Sequence, residues 1–441
     1  MIEKLAEMPT YGAYKDSGVE WLGEVPAHWE VVPLKRSLSL NSEKISSRNS
    51  TLKYYGMENI ESWTGRFKET ESEIEGLANK FNENDILFGK LRPYLAKVGL
   101  ATCEGICSTE FLVYRTKNQS ANFFKYLLLS TDFINLVDAS TYGSKMPRAN
   151  ADFIGIQHLP TPNLREQTAI AAFLDCKTAQ IDQAMAIKEQ QIALLKEHKQ
   201  IQIQTAVTRG LDPNVPMRDS GVEWIGKIPV HWKIVKLKWL TTQIVDGAHF
   251  TPTYVDFGIP FLRVTDLSNM IDGKVNWDDV RYIPEKEHTE LIKRANPKKG
   301  DVLLSKNGTI GLTKVIDWER EFSFFVSLCL IKLTRRINAH YFTAFFNSPI
   351  IDTQITFGSS RTSVTNLHLE KIKELLVILP PHEEQATIVT HIETQSAKIE
   401  LAIAIQQQQI DKLKEYKATL INSAVTGKIR VAESVQCGAE L

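Results

Sequence analysis

Residues 16–29 read DSGVEWLGEVPAHW, and the pattern returns at 219–232 as DSGVEWIGKIPVHW. From Asp16 to Val32, 11 of 17 positions are identical to those 203 residues later, so the chain is an internal repeat. Three further matches share a different offset, 218. Arg165-Glu166-Gln167-Thr168-Ala169-Ile170 corresponds to Glu383-Glu384-Gln385-Ala386-Thr387-Ile388, Leu195-Lys196-Glu197 to Leu413-Lys414-Glu415, and Ala206-Val207-Thr208 to Ala424-Val425-Thr426. The second interval is 15 residues longer, so the two halves keep their ends while their middles diverge.

The downstream matches have helical periodicity. Leu174, Ile181, Met185, Ile192 and Leu195 fall at heptad a and d spacing, and Ile392, Ile399, Ile403, Ile410 and Leu413 repeat the stripe 218 residues on. Ala, Gln, Lys and Glu fill the rest, no Pro or Gly interrupts 164–209, and prolines precede and glycines follow each segment. The polar faces are broad and the apolar stripe narrow, which predicts two helices zipped together rather than each buried in its own domain. The middles instead carry short apolar runs, Asp85–Phe88, Phe111–Tyr114 and Val302–Leu304, that read as strands, with helical stretches at Asn122–Leu136 and Asn338–Asn347. The expected organisation is a globular domain at 1–162, a helix at 163–210, a second globular domain at 211–380, a second helix at 381–430 and a tail at 431–441. Each middle is expected to be α+β.

Composition narrows the function. Lys plus Arg and Asp plus Glu are both 52 in 441 residues, and the hydrophobic fraction is 43%, as in a soluble folded chain. The longest apolar stretch, Ser323–Ile331, is too short for a membrane span, so no membrane association is expected. Residues 1–160 balance at −2 and 211–380 at +3, so a polyanion would be met by a local patch.

Two loops per half supply such patches. Asp85-Ile86-Leu87-Phe88-Gly89-Lys90-Leu91-Arg92 parallels Asp301-Val302-Leu303-Leu304-Ser305-Lys306-Asn307-Gly308, each a strand running into Lys, Arg or Asn beside glycine. Nearer each domain's end, 142–150 (YGSKMPRAN) resembles 357–366 (FGSSRTSVTN), rich in donors and without Asp or Glu. Lys90, Arg92, Lys145, Arg148 and Asn150 in the first half, and Lys306, Asn307, Arg361, Thr365 and Asn366 in the second, are the candidate DNA contacts. These residue types suit phosphates and the bidentate edges of purines. A solvated turn, or a loop packing on its own domain, is the competing explanation. His28 and His231 lie inside Pro-x-His-Trp with no second ligand or nucleophile nearby, which favours a structural role in joining domain to helix.

Catalytic patterns are missing. Cys103 and Cys107 lack a second pair at zinc spacing, and Lys306-Asn307-Gly308-Thr309-Ile310-Gly311 does not complete a phosphate-binding loop. Glu197-His198-Lys199 and Glu415-Tyr416-Lys417 mimic a nuclease signature, but they sit at matching helix positions with no acidic strand before them. The sequence reads as an adaptor.

The repeated Asp-Ser-Gly-Val-Glu-Trp-x-Gly-x-x-Pro-x-His-Trp segment, the Glu-Gln-x-x-Ile helix openings, the Leu-Lys-Glu segments and the aromatic-Gly-Ser loops together resemble the specificity subunits of type I restriction–modification systems. The resemblance runs from about residue 11 to 430. It implies two target recognition domains separated by an antiparallel coiled coil with pseudo-two-fold repetition, reading a bipartite, asymmetric target in double-stranded DNA. It also implies two modification subunits that methylate adenine and restriction subunits that cleave. S-adenosylmethionine, ATP and Mg would sit on those partners, none on this non-catalytic chain, in a bacterial or archaeal cytoplasm. The alternatives are a specificity subunit of a fused restriction–methylation enzyme and, more remotely, a coiled-coil scaffold that binds no DNA. A helix of roughly 45 residues is about 65 Å long, and one turn of B-DNA is about 34–36 Å, so domains at its ends could address sites one to two turns apart.

Overall fold

The Ala-, Gln-, Lys- and Glu-rich stretches form two uninterrupted helices, α1 (Leu164–Arg209, 46 residues) and α2 (His382–Val425, 44 residues). Both end at a left-handed glycine, Gly210 (φ +79°) and Gly427 (φ +77°), a conformation that a side chain would strain. Both begin with a buried glutamine. Gln167 Nε2 donates to Pro162 O (2.8 Å) while its Oε1 accepts from Ser120 N–H (2.9 Å). Gln385 repeats this with Pro380 O (2.9 Å) and Asn338 N–H (2.7 Å). The Glu-Gln opening therefore satisfies the turn before each long helix and ties it to the start of a shorter helix in the globular part.

In this computed structural model, residues 7–47, 50–69, 76–143, 145–270, 273–356 and 366–431 are described. The chain divides into two units that cut across sequence order, 1–190 with 406–441, and 191–405. Each unit thus contains part of both long helices.

In the first unit, α1 and α2 run antiparallel. Lys417 Nζ lies 2.8 Å from both carboxylate oxygens of Asp182, and Lys188 Nζ donates to Gln406 Oε1 (3.3 Å). In the second unit Lys199 Nζ meets Glu400 Oε1 at 2.7 Å. Asp182 and Glu400, like Lys199 and Lys417, are 218 positions apart, so the repeat recurs as an equivalent antiparallel ion pair in each unit. Of the seam residues, Leu174, Ile181, Ile399, Ile410 and Leu413 are buried, and Met185, Ile192, Leu195, Ile392 and Ile403 are half-buried. Leu174, Ile181, Leu413, Leu420, Ile421 and Val425 join the main core of the first unit around Trp29 and Phe133. Ala206, Val207 and Ile388 join that of the second around Trp232 and Tyr341.

The middles diverge in sequence but share a topology. Each holds a four-stranded antiparallel sheet, ordered Leu38–Asn41, Phe111–Thr116, Ile86–Gly89, Val98–Leu100 in one unit and Thr241–Asp246, Leu328–Leu333, Val302–Ser305, Thr313–Val315 in the other. A second sheet in each unit contains a parallel pair, Tyr54–Tyr55 with Gly105–Cys107 and Ile259–Leu262 with Ser323–Phe324. A two-stranded ribbon, Glu30–Pro33 with His158–Thr161 or Lys233–Lys236 with Leu376–Leu379, brings each domain's start to its end. The helical stretch expected at 122–136 is two helices, Ala121–Leu129 and Thr131–Ala139. The break is at buried Ser130, whose hydroxyl donates to Leu127 O (2.7 Å). The stretch at 338–347 is Ala339–Phe346, capped by Asn338 Oδ1 and followed by Pro349–Thr356.

Candidate nucleic-acid interface

The repeated motif builds a joint. Trp29 and Trp232 are fully buried, and each indole N–H donates to the glutamate that opens the long helix, Glu166 (3.3 Å) or Glu384 (2.7 Å). His28 Nε2 and His231 Nε2 meet the same carboxylates at 3.0 and 2.7 Å. The C-terminal turn of the other helix closes the joint from behind. A Cβ on Gly427 would lie 2.3 Å from Pro26 and 3.1 Å from Trp29, and one on Gly210 would lie 3.2 Å from Trp232. His28 and His231 are thus hydrogen-bonded parts of a structural corner.

The two donor loops of each half lie side by side, by the same backbone bond in both units. Ala149 N–H donates to Lys90 O (2.9 Å), and Leu367 N–H donates to Lys306 O (2.8 Å). In the first unit Arg92 N–H also donates to Pro147 O (2.8 Å), and Leu91 bridges Arg148. In the second, Asn307 bridges Asn366. Segments nearly 60 residues apart thus form one composite edge beyond the central strands Ile86–Gly89 and Val302–Ser305.

Individual side chains differ in how free they are. Lys145 is exposed and Lys90 half-buried. Arg92, also half-buried, has φ +51°, an uncommon strain for a side-chain-bearing residue that fixes the direction of the loop. Arg148 is paired with Glu110, Nε donating to Oε2 at 3.0 Å and to Oε1 at 3.3 Å and Nη2 to Oε1 at 3.1 Å. The loop that lacks carboxylates in sequence therefore acquires one in space. Such an exposed pair is weakened by solvent and salt, so a phosphate can compete for the guanidinium. Asn150 caps helix Ala151–Ile156, its Oδ1 accepting from Asp152 N–H at 2.7 Å, so its carbonyl is committed to the fold.

Lys306 is not displayed as the loop pattern led us to expect. It is buried, with Nζ 3.1 Å from Asp246 Oδ2. Asp246 also receives Arg294 Nη2 (2.6 Å) and His249 Nε2 (3.0 Å). Burial alone would raise its pKa, but hydrogen bonds from His249 and Lys306 outweigh that and hold it below the ordinary value. The exposed members of this cluster, His249 and Arg294, escaped the sequence reading because they converge only through Asp246. Asn307 and Asn366 are half-buried, and the Oδ1 of each is enclosed with no hydrogen-bond partner among the described residues. Arg361 and Thr365 lie outside the described residues.

The family model described as "Type I restriction modification DNA specificity domain" matches residues 26–197 and again 229–415. The chain belongs to that family. It is 24% identical over 382 residues to the type I restriction enzyme MjaVIII specificity subunit of Methanocaldococcus jannaschii, covering 82% of this chain and 85% of that one. To the type I restriction enzyme EcoKI specificity subunit of Escherichia coli K12 it is 26% identical over 299 residues, 66% of this chain and 60% of that one. Among solved structures, a chain from a study of complex assembly and conformational transition of the type I R-M system superposes with a TM-score of 0.70. Identity there is 18%, with coverage of 91% of this chain and 98% of that one. The HsdS subunit from Thermoanaerobacter tengcongensis gives 0.53 at 18% identity, covering 95% and 100%.

The type I specificity family accounts for the duplication: the two matched stretches are two copies of one domain, each taking in most of the adjoining long helix. The chain is a DNA sequence-specificity subunit of a type I restriction–modification system. Among the described residues, no helix is long and apolar enough to cross a membrane.

Proposed function

We infer that each globular domain reads one half of a bipartite, asymmetric DNA target through its composite loop edge, while α1 and α2 set the spacer and seat two modification subunits. The observation that supports this is the shared bond between donor loops, Ala149 to Lys90 and Leu367 to Lys306, which builds an equivalent edge from unlike sequences. Equivalent edges suit equivalent roles; unlike side chains suit unlike half-sites. The modification subunits would methylate adenine with S-adenosylmethionine, and restriction subunits would add ATP- and Mg-dependent cleavage, this chain supplying no catalytic group.

The test is single-molecule sequencing of DNA from a host that expresses the chain with its modification subunit. Lys90→Ala with Lys145→Ala is expected to relax or abolish one half-site, and Arg361→Ala with Asn366→Ala the other. Equal weakening on every DNA by both pairs would make the loops phosphate clamps and refute their role as readers.

A further inference from the structure

The two joints built by the repeated motif share their tryptophan, histidine, proline and glutamate but differ in what stands against them. In the first unit the corner formed by Pro26, His28, Trp29, Glu166 and Gly427 is filled by Tyr11. Its ring stands edge-on to Trp29, centroids 5.7 Å apart, and tilted against His28 at 5.6 Å. Burial first, then the charge of Glu166 and a hydrogen bond to it, raise the phenol's pKa, which keeps it a neutral donor. Neighbouring Tyr14 fastens the segment through its hydroxyl, which donates to Gly427 O (3.1 Å).

In the second unit the same corner is formed by Pro229, His231, Trp232, Glu384 and Gly210, and the position 203 residues after Tyr11 is Asn214, an exposed residue. A cavity of about 270 Å³ remains there, walled by those residues with Ile388 and Val215. The glutamate records the difference: the Glu166 side chain is 15% exposed under Tyr11, and that of Glu384 is 42% exposed. The volume is below the roughly 300–1,000 Å³ of small-molecule pockets, so it suits a single large side chain. It offers the indole wall and carboxylate edge that Tyr11 meets in the first unit, with aliphatic sides and with Arg209 and Asp212 also at its lining.

We propose that the cavity at Trp232, His231 and Glu384 is a socket for a tyrosine side chain presented by a partner subunit. Tyrosine suits it because the ring buries apolar area against Trp232 and Ile388 while the hydroxyl donates to Glu384. The proposal rests on the reading that the chain assembles with partner subunits.

The probe is the peptide EMPTYGAYK, residues 7–15 of this chain, labelled and titrated into the full-length protein by fluorescence anisotropy. Saturable binding is expected, lost when the peptide carries Tyr11→Ala and lost when the protein carries Asn214→Tyr, which fills the socket from within, but kept in Asn214→Ala. Asn214→Tyr is also expected to weaken assembly with a partner subunit about tenfold or more, the loss of one buried aromatic anchor. No peptide binding, equal binding to Asn214→Tyr, or normal assembly by Asn214→Tyr would overturn the socket and leave the assembly reading intact. Failure of the wild-type chain to assemble with any partner subunit would overturn both.

Discussion

At the scale of single residues, the candidate interface is made of groups with two employers. Asn150 is both a candidate DNA contact and the cap of helix Ala151–Ile156. Asn150→Ala is expected to cost about 1 kcal/mol of stability, whereas Asn150→Asp keeps a capping oxygen and adds a negative charge. Urea denaturation and DNA binding measured together separate the roles, because the aspartate should preserve the first and weaken the second. Asp246 is the converse, a buried carboxylate that holds Lys306, Arg294 and the His249 imidazole in place. Its pKa is lower in the folded protein than its ordinary value of 3.8, so its contribution to stability is complete above that value and declines as pH falls through the folded pKa. The stability gap between wild type and Asp246→Asn is therefore expected to be constant above about pH 5 and to shrink below about pH 4 in denaturation curves taken across that range. Donor types and spacing in the sequence were enough to single out the loops as candidates, because the strand that ends in polar residues is a local signal. Glu110 beside Arg148 and Asp246 beside Lys306 are contacts between strands far apart in the chain, and no local pattern encodes them.

At the scale of elements, the repeat supplies its own controls. Asp182–Lys417 and Glu400–Lys199 are equivalent pairs in unequal surroundings: side chains 9% and 8% exposed in the first, 58% and 26% in the second. Arg66 Nη2 also reaches Asp182 at 2.5 Å. Asp182→Asn is expected to cost about 3 kcal/mol, since it strands buried charge, and Glu400→Gln less than about 1 kcal/mol. The seam should show the same gradient in chemical denaturation. Ile181→Ala or Leu413→Ala, in a packed core, should cost about 2–5 kcal/mol and half-buried Ile192→Ala less. Both helix starts and the end of α1 were legible to within a residue, since 3.5-residue periodicity with proline and glycine at the ends is written in consecutive positions; α2 was expected to 430 and stops at Val425, just before Gly427 turns the chain. The sheet orders were not, because strands of three to six residues pair across long gaps, as Leu38–Asn41 does with Phe111–Thr116. Nor was the break at Ser130, where a polar residue in an apolar run turns the chain by bonding its own backbone.

At the scale of the whole molecule, the proposed reading makes the length of the spacer a property of α1 and α2. Inserting seven residues into each helix at matching positions preserves the antiparallel register, and methylome sequencing is expected to show the same half-sites with a changed spacer; an unchanged spacer would refute the reading. A chain with no net charge should also bind DNA with a salt dependence set by a few local contacts, the slope of log affinity against log salt being about −0.9 per phosphate neutralised. The division into units has a consequence of a different kind. The exposed connection after Gly210, residues 211–214, is an open target for a protease, yet both cores are assembled from segments on either side of it, and Arg430 N–H still donates to Pro9 O (2.7 Å). A molecule nicked there would hold its severed pieces clasped by two interlocked hydrophobic interiors, so the cut would be visible on a denaturing gel and silent in a native one.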